Sequence, residues 1–312
     1  MTRHTLITGA AGYIGRQLAE RLARTHQVTG LDIRRPDGPP CDYIEADIRD
    51  PGLADLLREL GIEQVVHLAA VLEDSGDRER DYDIDVNGTR NVLDACLAAG
   101  VRQLVVTSSG AAYGYHPDNP AWIDEDAPLR GNPEFAYSDH KRRVEEMLAD
   151  YRERHPELRQ LVFRPGTVLG AHTRNQITRL FERPRVLAIA GSASPFVFIW
   201  DRDVVEAIAR GVEADAEGIY NMAGDGALTI DQVAAILGKP VRRVPAGALK
   251  AALWLGHRLG LTPHTPEKVD FLRYRPVLCN RRLKEDFGYR PQKTSEETFR
   301  HFIEHARQRG QL

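Results

Sequence analysis

The chain has 312 residues, of which 42% are hydrophobic and 28% are charged, and its formal net charge is -3. This composition is typical of a globular protein, and the length suffices for one large domain or two smaller ones. The small negative charge, without a run of Lys or Arg, gives no indication of a nucleic-acid surface. We therefore expect no nucleic acid as a partner. We also expect no membrane partner, because no apolar run reaches the roughly 18 residues that a membrane span requires.

The three cysteines, Cys41, Cys96 and Cys279, are scattered, and no two of them have the C-x-x-C spacing. The sequence therefore predicts neither a disulfide framework nor a metal site, and reduced thiols favour a cytoplasmic protein. A strand is predicted within a few residues of the N-terminus, so we expect no signal peptide.

The first predicted strand, at residues 6–8, runs into three glycines at three-residue spacing, Gly9, Gly12 and Gly15. Apolar residues then recur every four positions through residue 22, which predicts a helix. A strand, a glycine turn and a helix in this order predict a phosphate-binding turn, because glycine lets the backbone approach a pyrophosphate and the helix end offers free N–H groups. A chance cluster of glycines is the alternative.

A second predicted strand, over residues 27–32, ends in Asp32. An acid at this point of a dinucleotide-binding fold accepts hydrogen bonds from the adenosine ribose and repels a 2′-phosphate, which favours NAD over NADP. Arg34 and Arg35 follow at once and could instead pair with that phosphate. Asp32 could also be a strand-end or turn residue without a ligand.

Strands and helices then alternate through about residue 107, which predicts a doubly wound α/β fold with a parallel sheet covered on both faces. We predict His67, in a buried strand, to be a hydrogen-bonded core residue. Residues 71–84 are predicted as a loop. The other elements predicted in this part are strands at 43–47, 64–70 and 103–107 and helices at 52–60 and 85–99.

The rest of the chain is less regular, with a proline-broken loop before residue 137 and an irregular segment over residues 167–195. We expect a dinucleotide-binding Rossmann domain over 1–166, with returning segments at about 196–225, and a smaller substrate-binding domain over 167–195 and 226–312. The elements predicted here are strands at 161–163, 196–200 and 218–223 and helices at 137–153, 201–210, 229–237, 246–259 and 295–307.

Ser109, Tyr137 and Lys141 form a candidate catalytic set. Tyr137 and Lys141 are four residues apart on a predicted helix and so share one face, and Ser109 follows the carboxyl end of a strand, where such a sheet places its ligands. A nearby ammonium favours the phenolate, so the tyrosine could exchange a proton with an alcohol or carbonyl during hydride transfer. Ser109 could hydrogen-bond the same oxygen. The alternative is an ordinary amphipathic helix with a solvated lysine.

Together these motifs resemble those of the extended short-chain dehydrogenase/reductase family, specifically its NAD-dependent epimerase/dehydratase group. The similarity is strong over about residues 1–225 and looser beyond. The similar segments are TGAAGYIG at 8–15, DIRD at 47–50, HLAA at 67–70, NGT at 87–89, SSGAAYG at 108–114, YSDHK at 137–141, RP at 164–165 and FGYRP at 287–291.

The resemblance implies that NAD lies along the carboxyl edge of the sheet and that Ser109, Tyr137 and Lys141 are catalytic. It also suggests a homodimer built on helices 85–99 and 137–153. The residues expected to contact NAD are Gly9, Gly12, Tyr13, Ile14, Gly15, Asp32, Asp47, Ile48, Leu68, Ala69, Ala70, Asn87, Tyr137, Lys141 and Arg164.

Departures from the family pattern narrow the expected reaction. Family 4,6-dehydratases carry Thr-Asp-Glu where this chain has Ser109, Gly110 and Ala111, so water elimination lacks a catalyst. Sugar-nucleotide epimerases usually carry Asn where Thr167 stands, and the segment 167–195 is shorter than a typical uridine-diphosphate-binding segment. Four arginines in this segment could bind a diphosphate, although a solvated face is the simpler interpretation. They are Arg174, Arg179, Arg183 and Arg185.

Three functions remain open after the sequence analysis. The leading hypothesis is an NAD-dependent oxidoreductase that transfers hydride at a secondary alcohol or carbonyl carbon. The alternatives are a nucleotide-sugar 4-epimerase with tightly bound NAD and a non-catalytic NAD-binding sensor or scaffold. The expected substrate is a small molecule, either an alcohol or ketone or a nucleotide sugar.

Overall fold

The computed structural model describes residues 3–73, 75–262 and 265–312. Its strands are β1 His4–Thr8, β2 Gln27–Asp32, β3 Asp42–Glu45, β4 Gln64–His67, β5 Gln103–Thr107, β6 Arg159–Pro165, β7 Thr167–Leu169, β8 Val186–Ile189, β9 Phe198–Trp200, β10 Gly218–Met222 and β11 Val241–Val244. Within these described residues a seven-stranded parallel sheet has the order β3-β2-β1-β4-β5-β6-β10. The predicted doubly wound α/β fold is confirmed.

Helices connect most of these strands, and over the described residues none of them is both long and apolar enough to cross a membrane. A π-helical turn over Asp83–Asn87 and a 3₁₀ turn over Gly110–Tyr113 lie at the carboxyl edge of the sheet. The α-helices are α1 Tyr13–Leu22, α2 Leu53–Glu59, α3 Arg78–Tyr82, α4 Gly88–Ala99, α5 Ala136–Arg154, α6 Gln176–Glu182, α7 Asp201–Glu213, α8 Ile230–Leu237, α9 Ala246–Arg258, α10 Lys268–Arg273, α11 Arg281–Glu285 and α12 Ser295–Gln308.

The main sheet has an apolar core on each face. Leu57 of α2, Leu93 of α4 and Leu148 of α5 are buried on one face, and Leu18 of α1 and Ile208 of α7 are buried on the other. Because both faces are covered, the central strands β1, β4, β5 and β6 are buried at nearly every position instead of alternating between buried and exposed. The helices therefore leave only the edges of the sheet, including the carboxyl edge, for ligands.

A third apolar core lies outside the main sheet and joins β7, β8 and β9 to α6, α8 and α12. Phe198 stacks on Phe196 and on Phe299, with ring centroids 5.4 and 5.1 Å apart, and Phe181 packs edge-on against Phe299. Such aromatic contacts add to the free energy of burial. The division of the chain into the two predicted domains stays a prediction.

The prediction of an irregular segment over residues 167–195 was wrong, because β7, α6 and β8 lie there. The side chain of Asn175 caps α6 by accepting the N–H groups of Ile177 and Thr178. The predicted loop over 71–84 likewise contains α3 and the start of the π-helical turn, so the next α-helix begins at Gly88 and not at residue 85. These elements are too short for their apolar spacing to identify them.

Candidate functional site

The glycine turn between β1 and α1 has the most confined backbone of the site. Gly9 has φ +71°, and a Cβ on it would lie 2.7 Å from the backbone nitrogen of Ala69. A Cβ on Gly15 would lie 2.2 Å from the carbonyl oxygen of Gly9. Gly12 precedes α1 and offers no capping side chain, so the first-turn N–H groups of α1 remain available to an anion.

Asp32 ends β2 beside this turn. One of its carboxylate oxygens accepts the N–H of Ala11 at 3.1 Å, and in the described part of the chain the other oxygen accepts no hydrogen bond. Arg34 and Arg35 are exposed, and the Arg35 guanidinium lies 5.9 Å from the centre of the Tyr43 ring. The free oxygen of Asp32 is suited to accept from ribose hydroxyls.

Other predicted NAD contacts lie on either side of the glycine turn. The Tyr13 hydroxyl donates to Asp201 at the start of α7, and burial together with this bond raises the pKa of Tyr13 to about 12. Ile14 packs against an apolar core of the sheet. Leu68, Ala69 and Ala70 are half-buried directly after β4. Tyr13 therefore ties α1 to α7 through its hydroxyl, while its backbone N–H at the helix end and its exposed ring remain accessible to a ligand.

The residues predicted to contact the adenine end form a surface ion-pair cluster. Arg49 binds Asp47 at 2.6 Å and Asp83 at 2.8 Å, and its hydrogen bonds lower the pKa of Asp47. Ile48 is buried. Asn87 is exposed and donates its side-chain amide to Asp83 at 2.9 Å. Asn87 therefore belongs to this cluster, and its contact with NAD stays a prediction.

Ser109 follows β5 and caps the 3₁₀ turn after it. Its Oγ accepts the N–H of Ala111 at 3.1 Å, so its own O–H remains available to donate to a ligand. Ser138 of α5 donates to the carbonyl of Ala111 at 2.7 Å. This bond ties the turn that holds Ser109 to the helix that carries the two other predicted catalytic residues.

Tyr137 and Lys141 share one face of α5, as their spacing predicts. The Lys141 Nζ lies 5.7 Å from the centre of the Tyr137 ring. It donates to the carbonyl of Thr107, at the end of β5, at 3.1 Å. Lys141 is only 8% exposed, whereas Tyr137 is half-buried.

A cavity of about 10 Å³, roughly the space of one water, lies behind Lys141. His67 lines it, with hydrogen bonds to the hydroxyls of Thr8 at 2.7 Å and Thr89 at 3.0 Å. Because Thr89 donates its own proton to the carbonyl of Asp85, it accepts from His67 Nε2. Burial, and secondly the charge of Lys141, lower the pKa of His67 to about 3. His67 is a neutral core residue, as predicted.

A buried pair that sequence reasoning missed anchors α5. His140 Nδ1 lies 2.9 Å from one carboxylate oxygen of Asp85, and the two side chains are 2% and 5% exposed. The other oxygen of Asp85 accepts the N–H of Val71 at 2.7 Å. The pair therefore joins the π-helical turn, the loop after β4 and the helix turn that carries Lys141. Its sequence signal is weak, because an Asp and a His 55 residues apart have no recognisable spacing.

Arg164, which was predicted to contact NAD, forms hydrogen bonds to other residues of this chain. It is 3% exposed and donates to the carboxylate of Glu145 through Nε at 2.8 Å and Nη2 at 2.6 Å. Its Nη1 donates to the Tyr113 hydroxyl and to the carbonyl of Glu125. The predicted contact between Arg164 and NAD therefore has no support in this geometry, since buried partners occupy most of its N–H groups.

A larger cavity, of about 360 Å³, lies between the loop after β5 and the C-terminal part of the chain. Tyr115 lines this cavity, and burial, and secondly the nearby Tyr137, raise the pKa of Tyr115. The cavity is lined by Tyr115, His116, Pro117, Asn132, Pro133, Glu134, Lys250, Asp270, Arg273 and Tyr274.

Two arginines at or beside this cavity were missed by sequence reasoning. The Nε atoms of Arg273 and Arg275 are buried and, among the described residues, have no hydrogen-bond partner. The Arg275 guanidinium lies 3.9 Å from the centre of the Phe196 ring, and burial lowers its pKa to about 10. Arg273 is paired with Asp270 at 3.7 Å, and Arg275 donates through Nη1 to the carbonyl of Ser194 at 3.1 Å. The two buried Nε–H groups are therefore the ones that lack a partner within the described part of the chain. The sequence signal was RYRP at 273–276, outside every predicted element.

The four arginines of the segment 167–195 form a solvated face, as the simpler interpretation predicted. All four are exposed. Arg179 binds Glu73 at 2.8 Å, which is a surface ion pair of little energetic weight.

Comparisons with known proteins agree with this geometry. The profile of the NAD dependent epimerase/dehydratase family matches residues 5–223. The chain belongs to the NAD-dependent epimerase/dehydratase family, within the extended short-chain dehydrogenases/reductases.

Particular relatives are similar over nearly the whole chain. A UDP-glucose 4-epimerase of Mycolicibacterium smegmatis is 31% identical, with 98% of this chain and 99% of the relative covered. An uncharacterized protein of Mycobacterium tuberculosis is 26% identical, with 94% and 81% covered. The crystal structure of Thermus thermophilus UDP-glucose 4-epimerase in complex with NAD matches with a TM-score of 0.74 at 27% identity, covering 97% of this chain and 99% of that one.

Proposed function

We propose that this protein binds NAD and transfers hydride to and from a secondary alcohol carbon of a nucleotide sugar, with Ser109, Tyr137 and Lys141 as its catalytic residues. The observation that carries the proposal is the pairing of Tyr137 and Lys141 on one face of α5, tied by Ser138 to the turn that holds Ser109. The relatives named as UDP-glucose 4-epimerases support the nucleotide-sugar class over simple alcohols.

The residues around the glycine turn fit NAD. The turn leaves no room for a side chain at Gly9 or Gly15, so bare backbone and the first-turn N–H groups of α1 would hold the pyrophosphate. The free carboxylate oxygen of Asp32 would accept from the adenosine ribose and repel a 2′-phosphate. We therefore expect NAD to raise the melting temperature more than NADP at equal concentration, and the reverse order would contradict the role of Asp32.

Bound NAD would supply the hydride acceptor and donor. Tyr137 would take the proton of the substrate hydroxyl when the hydride leaves the same carbon, and would return it when the hydride comes back. Lys141, whose Nζ lies 5.7 Å from the centre of the Tyr137 ring, would hold the hydroxyls of the nicotinamide ribose. Ser109 donates its free O–H to the same substrate oxygen while the charge on that oxygen changes.

The cavity beside Tyr115 would hold the rest of the substrate. Its volume of about 360 Å³ suits a small molecule. Arg273 and Arg275 have unpartnered Nε–H groups at or beside it, and arginine binds phosphate oxygens well. Lys250 is already paired with Asp270 at 2.9 Å. Arg273 is also paired with Asp270, at 3.7 Å. A diphosphate would accept from the unpartnered Nε–H groups of the two arginines, whereas a simple alcohol would leave these groups buried and unpaired.

The test is to incubate the purified protein with NAD and pairs of UDP- and GDP-sugar 4-epimers, and to follow products by chromatography and NADH by absorbance. A 4-epimerase interconverts one pair without net NADH, whereas a dehydrogenase accumulates NADH as substrate is consumed. NAD binding without any turnover would favour the sensor or scaffold. Turnover of simple alcohols but of no nucleotide sugar would contradict the substrate class.

The variant Tyr137→Phe tests the catalytic assignment. We expect it to lose at least about 100-fold in kcat, because the proton-transferring hydroxyl is gone, while its thermal stability and NAD binding persist. Tyr220→Phe is the control, since the Tyr220 hydroxyl lies on β10 and donates to the carbonyl of Glu217. Full turnover by Tyr137→Phe would refute the role of Tyr137.

A further inference from the structure

Helix α9 lies on the surface of the molecule without a single buried residue in its span Ala246–Arg258. Trp254 and Leu255 are 54% and 52% exposed, and just beyond the helix Leu259 and Leu261 are 60% and 79% exposed. Single exposed apolar side chains are common on monomeric proteins, but a group of four at one helix end marks an interaction site.

The sequence of α9, AGALKAALWLGHR, is apolar on both of its sides. Leu249 and Leu253 are half-buried on the inner side, whereas Ala248, Ala251 and Leu255 are exposed on the outer side. A surface helix normally presents polar residues to water, and a helix that is apolar all round is normally buried. The described part of this chain leaves the outer apolar side of α9 exposed, and a binding partner would be needed to bury it.

The segment that contains α9 is cationic although the whole chain has a net charge of -3. Between Asp231 and Glu267 the sequence has no acid at all. The basic residues in this interval are Lys239, Arg242, Arg243, Lys250 and Arg258. Asp231 and Asp270 pair with two of these, Arg243 and Lys250. Arg242 and Arg258 form no ion pair among the described residues, whereas the Lys239 ammonium donates to the carbonyl of Phe181. The partner that covers α9 should therefore be anionic.

We propose that α9 docks this protein on the surface of an anionic lipid bilayer. Trp254, Leu255 and Leu259 would enter the boundary between headgroups and acyl chains, where tryptophan is favoured. Arg258, whose guanidinium lies 5.4 Å from the centre of the Trp254 ring, and Arg242 would contact lipid phosphates. A second copy of the chain would bring the same cations face to face, which opposes self-association through this surface.

This docking does not depend on the proposed function. It also does not require a membrane-spanning segment, because an interfacial helix lies in the plane of the bilayer. Lys250 belongs both to α9 and to the lining of the 360 Å³ cavity, so docking would bring the cavity close to the lipid surface. The expectation from sequence that the protein has no membrane partner considered only spanning segments.

The test is co-sedimentation of the full chain with vesicles of phosphatidylcholine alone or mixed with phosphatidylglycerol. We expect binding to the mixed vesicles that weakens as salt is raised. The triple variant Trp254→Ser, Leu255→Ser, Leu259→Ser should bind at least about tenfold more weakly, because it removes the inserted apolar surface. Trp122→Ser is the matched control, since Trp122 is 50% exposed and lies outside α9.

The triple variant should fold normally because none of its three side chains is buried, and its melting curve checks this. Absence of wild-type binding to the mixed vesicles would overturn the proposal, as would equal binding by the triple variant. A wild-type dimer that the triple variant loses, without vesicle binding, would also overturn it and would identify α9 as a contact between copies. Binding that Trp122→Ser keeps and the triple variant loses would support it.

Discussion

Gly15 occupies a position at which one added methyl group meets backbone and not a movable side chain. A Cβ there would lie 2.2 Å from the carbonyl oxygen of Gly9. We expect Gly15→Ala to lower the free energy of unfolding by about 1–3 kcal/mol and to abolish the rise in melting temperature caused by NAD. Urea unfolding and thermal-shift assays measure the two effects.

Gly247→Ala is the control for this substitution. A Cβ on Gly247 has open space around it and the residue lies in α9, so alanine should stabilise the chain by about 0.5–1 kcal/mol. If Gly15→Ala were as stable as Gly247→Ala and still responded to NAD, the account of the glycine turn would be wrong.

His67 gives stability a predictable dependence on pH. The pKa of His67 is about 3 in the folded chain, against 6.5 for an ordinary histidine. Between pH 6.5 and pH 3 this histidine is therefore protonated in the unfolded chain and neutral in the folded chain. The free energy of unfolding should therefore fall as pH falls from 6.5 toward 3, by about 1.4 kcal/mol per pH unit from this group. Urea unfolding of the wild type and of His67→Asn over this range measures it. The same slope in both proteins would contradict the prediction.

At the scale of elements, the buried pair of Asp85 and His140 holds α5 against the π-helical turn and the loop after β4. Asp85→Ala removes the acceptor for His140 Nδ1 and for the N–H of Val71, which then remain buried without partners. We expect a loss of about 1–3 kcal/mol in the free energy of unfolding by urea. Asp83→Ala, in the same π-helical turn but exposed, should show no comparable loss. Similar losses in the two variants would argue against the anchoring role.

The strands of the main sheet were predictable because each contains neighbouring apolar or β-branched residues between turn signals. The bounds predicted for β2 and β5 are those observed, Gln27–Asp32 and Gln103–Thr107. The short strands β8 and β11 were not predictable, since each has four residues and is stabilised by pairing with the other, as Val186 pairs with Val241. Strand formation of this kind depends on tertiary packing more than on propensity.

At the scale of the whole molecule, the sequence predicted a candidate catalytic set, which stays a prediction, but it did not indicate the arginines of the C-terminal segment. Ser109, Tyr137 and Lys141 follow successive elements of one sheet edge, so their convergence follows from topology. Arg273 lines the cavity beside Tyr115 because the C-terminal segment folds back on the loop after β5, where Ile123 donates its N–H to Val277 at 2.7 Å. No local pattern encodes a contact over such a separation.

The exposed side of α9 is likewise a property of the folded molecule. Its helix was predicted from residues 246–259, but the sequence could not indicate that the leucines and Trp254 would remain uncovered. Apolar spacing predicts that a helix has a face to bury, and only the packing of the other elements decides whether this chain buries it.

The central claim, that Tyr137 and Lys141 act together beside the nicotinamide, is tested most directly by a crystal structure of this protein with NAD bound. We predict the Lys141 Nζ within about 3 Å of a hydroxyl of the nicotinamide ribose, with the Tyr137 hydroxyl and the Ser109 Oγ facing the nicotinamide ring. A nicotinamide bound away from α5, with the Tyr137 hydroxyl directed into bulk solvent, would contradict the claim.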